Sequence, residues 1–277
     1  MIAAAARPYL AGFRARFQQM LQYRAAALAG FGTQCWWGTI KVMVLTAFYQ
    51  ARPLGAGPMT LADSIAYTWL AQALLALQPW AADPEIVLAV KSGGVGYDRV
   101  RPLDAYGWWF VRAIGWMTSR AAPRAALMYA VAGVILPAVG LGRWAWSAPA
   151  SAPAAAFFAA SITLGTLLAG AMTVLLDLIV AATMNERGVN LLLTPLTILL
   201  SGNLLPLLLF PDWARNWLFV QPFASLLDIP LRLYFGLLTG PGALEALALQ
   251  ALWVVLLVGG GRWWMGRLMR RLQVQGG

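Results

Sequence analysis

The chain of 277 residues is 61% hydrophobic and 11% charged, whereas a soluble domain runs near 45–50% apolar and about 25% charged. At a mean hydropathy of +0.68, a soluble core of this size could not hide so much apolar surface, and the composition indicates an integral membrane protein. The absence of histidine and the single cysteine, Cys35, exclude His-based general bases, His-ligated metals, intrachain disulfides and paired-thiol zinc sites.

The first twenty residues hold Arg7, Arg14 and Arg16 and no uninterrupted apolar core, so no cleavable signal peptide is expected. Over about 9–23, Leu10, Phe13, Phe17, Met20 and Leu21 recur at helical spacing, with Arg14, Gln18 and Gln19 elsewhere on the wheel. This predicts a helix lying in the membrane interface, either an anchor or a lever between subunits.

Six apolar stretches follow, at 25–49, 61–80, 125–142, 154–183, 189–210 and 246–261, each read as one crossing of a hydrocarbon core about 30 Å thick. The fourth is long enough to tilt or project, and Trp263 and Trp264 extend the sixth as an interfacial belt. Inside the first stretch lie Gln34, Trp36, Trp37 and Lys41. A lysine within a span costs about 2.5–3.5 kcal/mol on insertion scales unless it snorkels or faces a cavity. Lys41 is about 12 Å from the end of its span at 1.5 Å per residue, so both readings stand. Asn203, flanked by Pro195 and Pro206, makes the fifth stretch bendable and mildly polar. Asp177 lies near one end of the fourth, where pairing with an arginine is the simple expectation.

Between the second and third stretches, over about 83–120, the chain is too long for a plain connection. Asp83 is a good N-cap, Pro84 suits the first helical position, Glu85 favours the positive end of the helix dipole, and Gly93 and Gly94 end the helix. A helix of about two turns is expected there, followed by Arg99-Val100-Arg101-Pro102-Leu103 and a second helix beginning near Asp104. Such a capped, apolar-faced helix outside the membrane suits a cytoplasmic partner. Beyond the fifth stretch, 211–236 is too apolar for a solvated loop. Its prolines 211, 222 and 230 break it too often for a spanning helix, so short helices dipping into the outer leaflet are expected.

Arg7, Arg14, Arg16, Arg24, Lys91, Arg99, Arg101, Arg112, Arg120, Arg124, Arg187, Arg262, Arg267, Arg270 and Arg271 fall on one side. Only Arg52, Arg143, Arg215 and Arg232 fall on the other. The positive-inside rule then places both termini in the cytoplasm, as an even number of spans requires. Flanking arginines account for the charge of +10 without nucleic acid. No G-x-x-x-x-G-K-[ST] phosphate loop occurs. The acidic residues are scattered, so neither a catalytic nor a metal-ligating residue is expected.

This layout resembles the membrane subunit of a type-2 ABC exporter along nearly its whole length. Arg101-Pro102-Leu103 after the short helix, and Pro222-Phe223, Pro230 and Gly236 before the last span, are similar to one bacterial branch of that family. The resemblance implies an all-α integral membrane fold of six transmembrane helices forming one permease domain over 1–277. It also implies an N-terminal interfacial helix, a cytoplasmic coupling helix and outer re-entrant helices. It further implies a second permease chain, identical or homologous, and two copies of a separate ATPase that carries the ATP and Mg, this chain binding no cofactor. Asp83, Pro84, Glu85, Val87, Lys91, Arg99 and Arg101 would couple to the ATPase, and Gln34, Trp36, Trp37, Lys41 and Asn203 would line the path of a lipophilic or amphipathic substrate leaving a bacterial cytoplasmic membrane. An ATP-independent carrier or channel, or a membrane-embedded lipid-modifying enzyme, is the alternative from the residues alone.

Overall fold

The computed structural model describes the backbone of residues 2–51 and 58–271 and the side chains of residues 6–51, 58–98 and 100–270. Arg52 and the side chains of Arg99 and Arg271, used above, lie outside the described residues. Within them the protein is all-helical, with 81% of residues in helix and no strand.

The helices are α1 (Ile2–Leu21), α2 (Arg24–Gln50), α3 (Leu61–Ala73), α4 (Pro84–Lys91), α5 (Tyr97–Val100) and α6 (Ala105–Tyr129), then α7 (Leu136–Ala138), α8 (Ala152–Thr183), α9 (Glu186–Leu200), α10 (Asp212–Leu218), α11 (Asp228–Tyr234) and α12 (Gly240–Arg271). Among the described residues, three continuous helices are long and apolar enough to cross a membrane: Ala105–Ala138, Ala152–Thr183 and Gly240–Arg270. They divide by burial. Most of the apolar window of α8 is buried inside the protein, while those of α6–α7 and α12 are largely on the surface. α8 is the central pillar: α12, α6 and α11 all pack on it. The two outer helices present apolar surface, as a lipid-facing helix does.

Several expected boundaries differ, three of them for a backbone reason. The stretch expected at 61–80 is helical only to Ala73, followed by a 3-10 turn at Leu75–Leu77. Pro79 disfavours helix at the residue before it, and Gln78 is extended at ψ 151°. The stretch expected at 189–210 stops at Leu200. There Gly202 takes φ +85°, a conformation that favours glycine, and Pro206 follows in extended backbone.

Conversely, the helix expected near Asp104 and the third stretch are one rod from Ala105 to Ala138. The rod passes through a π-helical turn at Ala130–Ile135. Pro137 has no N–H, and its ring crowds the carbonyl four residues back, so a local widening before it relieves the clash. The Ala132 carbonyl, which the i–5 pattern would pair with Pro137, instead accepts from Trp146 N at 2.9 Å. α1 begins well before the interval expected at 9–23 and stops at Leu21, and α12 extends beyond 246–261 at both ends.

Polar ends are capped as the sequence requires. Thr60, Asp83, Asp104, Ser151 and Asn185 each accept a backbone N–H of their own helix. α1 lies along α6, and Gly115 permits it: a Cβ there would sit 3.1 Å from the Phe13 carbonyl.

Candidate functional sites

Two polar centres stand out, and both contain residues singled out above. The first surrounds α4. Asp83, only 1% exposed, accepts the Glu85 N–H at 2.9 Å as N-cap. Its carboxylate also pairs with Arg16 of α1 at 3.1 Å, although Arg16 is itself 5% exposed. Arg16 makes a second ion pair with Glu85 and donates to Gln19 Oε1 at 3.0 Å. Glu85 also pairs with Arg112 of α6 at 2.6 Å. Behind them the backbone N–H of Asp83 donates to buried Asp177 of α8 at 2.7 Å. One short helix is thereby tied to α1, α6 and α8 at its first turn. Partial burial pushes the Glu85 carboxyl up, but the hydrogen bonds and charges of Arg112 and Arg16 outweigh this and hold it below the ordinary carboxylate value.

The clamp fixes which face α4 shows. Ile86, Val87 and Val90 are buried, and Ile86 and Val90 pack with Val95, Tyr106, Trp109 and Leu178. Lys91 pairs with Glu186 in the first turn of α9 at 2.8 Å. Arg101 pairs with Asp98 at 3.1 Å and lies over the Trp108 ring, while Asp98 accepts from Trp109 Nε1 at 2.9 Å. Of the residues expected to contact a partner, then, Asp83 and Val87 face inward. Glu85, Lys91 and Arg101 make ion pairs within the chain, and Pro84 is exposed. The outward apolar surface is instead Leu88, Tyr97 and Val100, exposed by 66%, 73% and 79%. Periodicity hinted at Leu88, opposite Ile86 and Val90 on a short helix. Tyr97 and Val100 carried no signal beyond their distance from the membrane stretches.

α4 is also joined to α9 by its approach segment. The Ala82 N–H donates to Asn190 Oδ1 at 3.3 Å, and Thr194 Oγ1 donates to the Trp80 carbonyl at 3.2 Å. α9 ends in the unwound turn that contains the second polar centre. There Lys41 Nζ donates to the Asn203 carbonyl at 2.6 Å and to its Oδ1 at 3.0 Å. Two candidate path residues, one on α2 and one beyond α9, are thus in direct contact.

The turn is held from the side by Tyr67, whose hydroxyl donates to the Gly202 carbonyl at 3.1 Å, and by the Asp228 N–H, which donates to the Ser201 carbonyl at 3.1 Å. Beside this contact is an apolar cavity of about 250 Å³, lined by residues including Trp37, Val44, Tyr67, Ala71 and Leu204. Among the described residues no carboxylate pairs with Lys41.

The remaining path candidates separate. Trp37 lines the cavity with Lys41 one turn later, and Trp36 projects outward. Gln34 is buried on the stripe of α2 that includes Gly38, Val42 and Leu45, and its amide has no hydrogen-bond partner among the described residues. The described residues contain no cluster of three or more Cys, Asp or Glu that could hold a metal ion. Comparison with protein-family models, with curated proteins and with solved structures gives no match.

Proposed function

We propose that this chain is the membrane-spanning subunit of an ATP-driven type-2 ABC exporter, with ATP and Mg bound by a separate ATPase docked at α4. The observation that carries the reading is a short capped helix, held by charges to three other helices, that turns Leu88 outward, with Tyr97 and Val100 also exposed on the segment that follows it. A connection with no partner has no use for such rigidity or for an apolar tip. In this reading α2, α3 and α9 with their unwound ends complete six crossings with the three long helices. α3 alone is short for a hydrocarbon core about 30 Å thick. Its buried surroundings, nine of its thirteen residues being inside the protein, suit broken backbone at membrane depth. α10 and α11 would dip into the outer leaflet, and both termini would lie on the cytoplasmic side of a bacterial inner membrane.

Coupling follows from the contacts. Closure of the ATPase pair on ATP would displace α4. The clamp would carry that displacement into α1, α6 and α8, and the Lys91–Glu186, Ala82–Asn190 and Trp80–Thr194 contacts would carry it into α9. The far end of α9 is the unwound turn that holds Lys41 through Asn203. A movement of α9 would therefore open or tighten a polar contact beside an apolar cavity, which suits a lipophilic or amphipathic substrate. A second copy or homologue of the chain would close the path from the other side, facing Trp36.

The test is purification of the chain from its host in mild detergent with mass spectrometry of what accompanies it. A stoichiometric Walker-motif ATPase, lost in Leu88→Glu or Tyr97→Glu without loss of folded chain, is the expected result. Recovery of the chain alone after cross-linking would instead favour an ATP-independent carrier or channel.

A further inference from the structure

One apolar cavity belongs to neither centre. It lies where α1 gives way to α2, against the middle of α6, encloses about 540 Å³ and is lined largely by apolar surface. That volume is in the range of small-molecule sites, which run from about 300 to 1,000 Å³. Three arginines line it: Arg24 from the first turn of α2, and Arg120 and Arg124 one turn apart on α6. No acidic residue lines it.

Among the described residues none of the three makes an ion pair, although eight ion pairs occur elsewhere. Arg120 is stacked on the Trp116 ring, 4.4 Å from its centroid. Arg124 spends a single long hydrogen bond of 3.4 Å on the Ala26 carbonyl, and its Nε is buried without a partner. Arg24 is exposed, and Arg120 and Arg124 are half-buried against apolar lining; guanidinium donors left unspent beside such a surface are ready to bind an anion.

We propose that this cavity is a binding site for one anionic phospholipid, its phosphate held by Arg24, Arg120 and Arg124 and the start of its acyl chains covering Leu28 and Leu127. The fit is chemical. Guanidinium forks match phosphate oxygens, the remaining lining is mostly hydrocarbon with Ser119 and Tyr23 among it, and basic pockets between membrane helices recognise phosphate-bearing headgroups. The occupant wedges the elbow between α1 and α2. Because α1 carries Arg16, the lipid bears on the same element that clamps α4. The site does not depend on the transport reading, since it concerns only this chain and a lipid.

Native mass spectrometry of the purified chain tests it directly, titrating dioleoylphosphatidylglycerol, dioleoylphosphatidylcholine and inorganic phosphate in separate arms. The expected result is one saturable phosphatidylglycerol adduct per chain, with phosphatidylcholine weaker. Arg120→Gln with Arg124→Gln should weaken that adduct roughly thirtyfold, at about fivefold for each surface arginine. Arg143→Gln, beyond the far end of α6, should leave it unchanged. Ala27→Phe narrows the cavity while keeping all three arginines and should also weaken the adduct. Equal retention of the two lipids by the unaltered protein would overturn the proposal whether or not a variant folds. So would an adduct as strong in Ala27→Phe as in the unaltered protein, or inorganic phosphate binding as tightly as phosphatidylglycerol.

Discussion

The two polar centres are built in opposite ways. Around α4, two carboxylates meet two guanidinium groups from two other helices, with a third carboxylate behind them, and the key members Arg16 and Asp83 are almost wholly buried. At the other end of α9, one ammonium group meets one asparagine, with no carboxylate, in unwound backbone beside open space. The first centre is over-determined and suits a part that must transmit force without deforming. The second rests on hydrogen bonds alone, from Lys41 to Asn203 and from Tyr67 and the Asp228 N–H to the turn that presents it. Rigidity where a partner would push, and a sparse contact where a path would open, is the arrangement a driven transporter needs.

The comparison can be broken most sharply at Arg16. Removing one member of a buried ion pair leaves an uncompensated charge and costs about 3–5 kcal/mol. Arg16→Ala should therefore lower thermal stability more than any other single change considered, and limited proteolysis should show α1 released from α4. If Arg16→Ala unfolds at the temperature of the unaltered protein, the centre at α4 is not a clamp.

Next in size is Gly202→Ala. It places a Cβ in left-handed backbone, 2.5 Å from the Tyr67 hydroxyl, and should destabilise by about 1–3 kcal/mol. The loss should be visible in detergent unfolding and, on the proposed reading, accompanied by weaker transport, because the turn that presents Asn203 must shift. Lys41→Met should behave differently. It replaces the ammonium by an apolar chain of similar length, so stability should change by less than about 1 kcal/mol, while substrate-stimulated ATP hydrolysis by the reconstituted assembly changes several-fold. Unaltered transport would make Lys41 a tolerated residue that borrows the Asn203 carbonyl.

The smallest effect is that of pH. The lowered carboxyl of Glu85 contributes stability that is whole above its unfolded value, about 4.3. That contribution is lost as the pH falls through the lower folded value. Melting curves of the unaltered protein and Glu85→Gln should differ near neutrality and converge in that acidic window. The surface pair Lys91–Glu186 should add at most about 1 kcal/mol and fade with salt.

What the sequence made legible follows the range of the forces involved. The Asp83 cap, Pro84 at the first helical turn and the stop at Gly93 are local and readable from a few residues, as is the punctuation of 211–236 by proline. Continuity was harder. Apolar runs at 61–80 and 189–210 read as unbroken helices because hydropathy does not register the αL turn at Gly202 or the extended backbone before Pro79. Lys41 and Asn203 each stood out as polar residues in apolar runs, yet their contact spans 162 residues and no local pattern announces it. Arg16 and Arg112 were counted only as positive flanks, since a charge that pairs internally looks the same in sequence as one that faces lipid headgroups. For the same reason Asp83 and Glu85 read as partner contacts, when their carboxylates are committed to their own chain.

The central claim is that the exposed apolar residues of α4 and α5, Leu88, Tyr97 and Val100, dock an ATPase. Site-specific photo-crosslinking from position 88 in intact cells measures this most directly, because Leu88 is exposed and its replacement leaves the clamp untouched. The account predicts a crosslink to a Walker-motif ATPase that strengthens or shifts when ATP hydrolysis is blocked, and that disappears with Tyr97→Glu. Crosslinks to lipid alone, or none at all while the chain is folded and active, would contradict it.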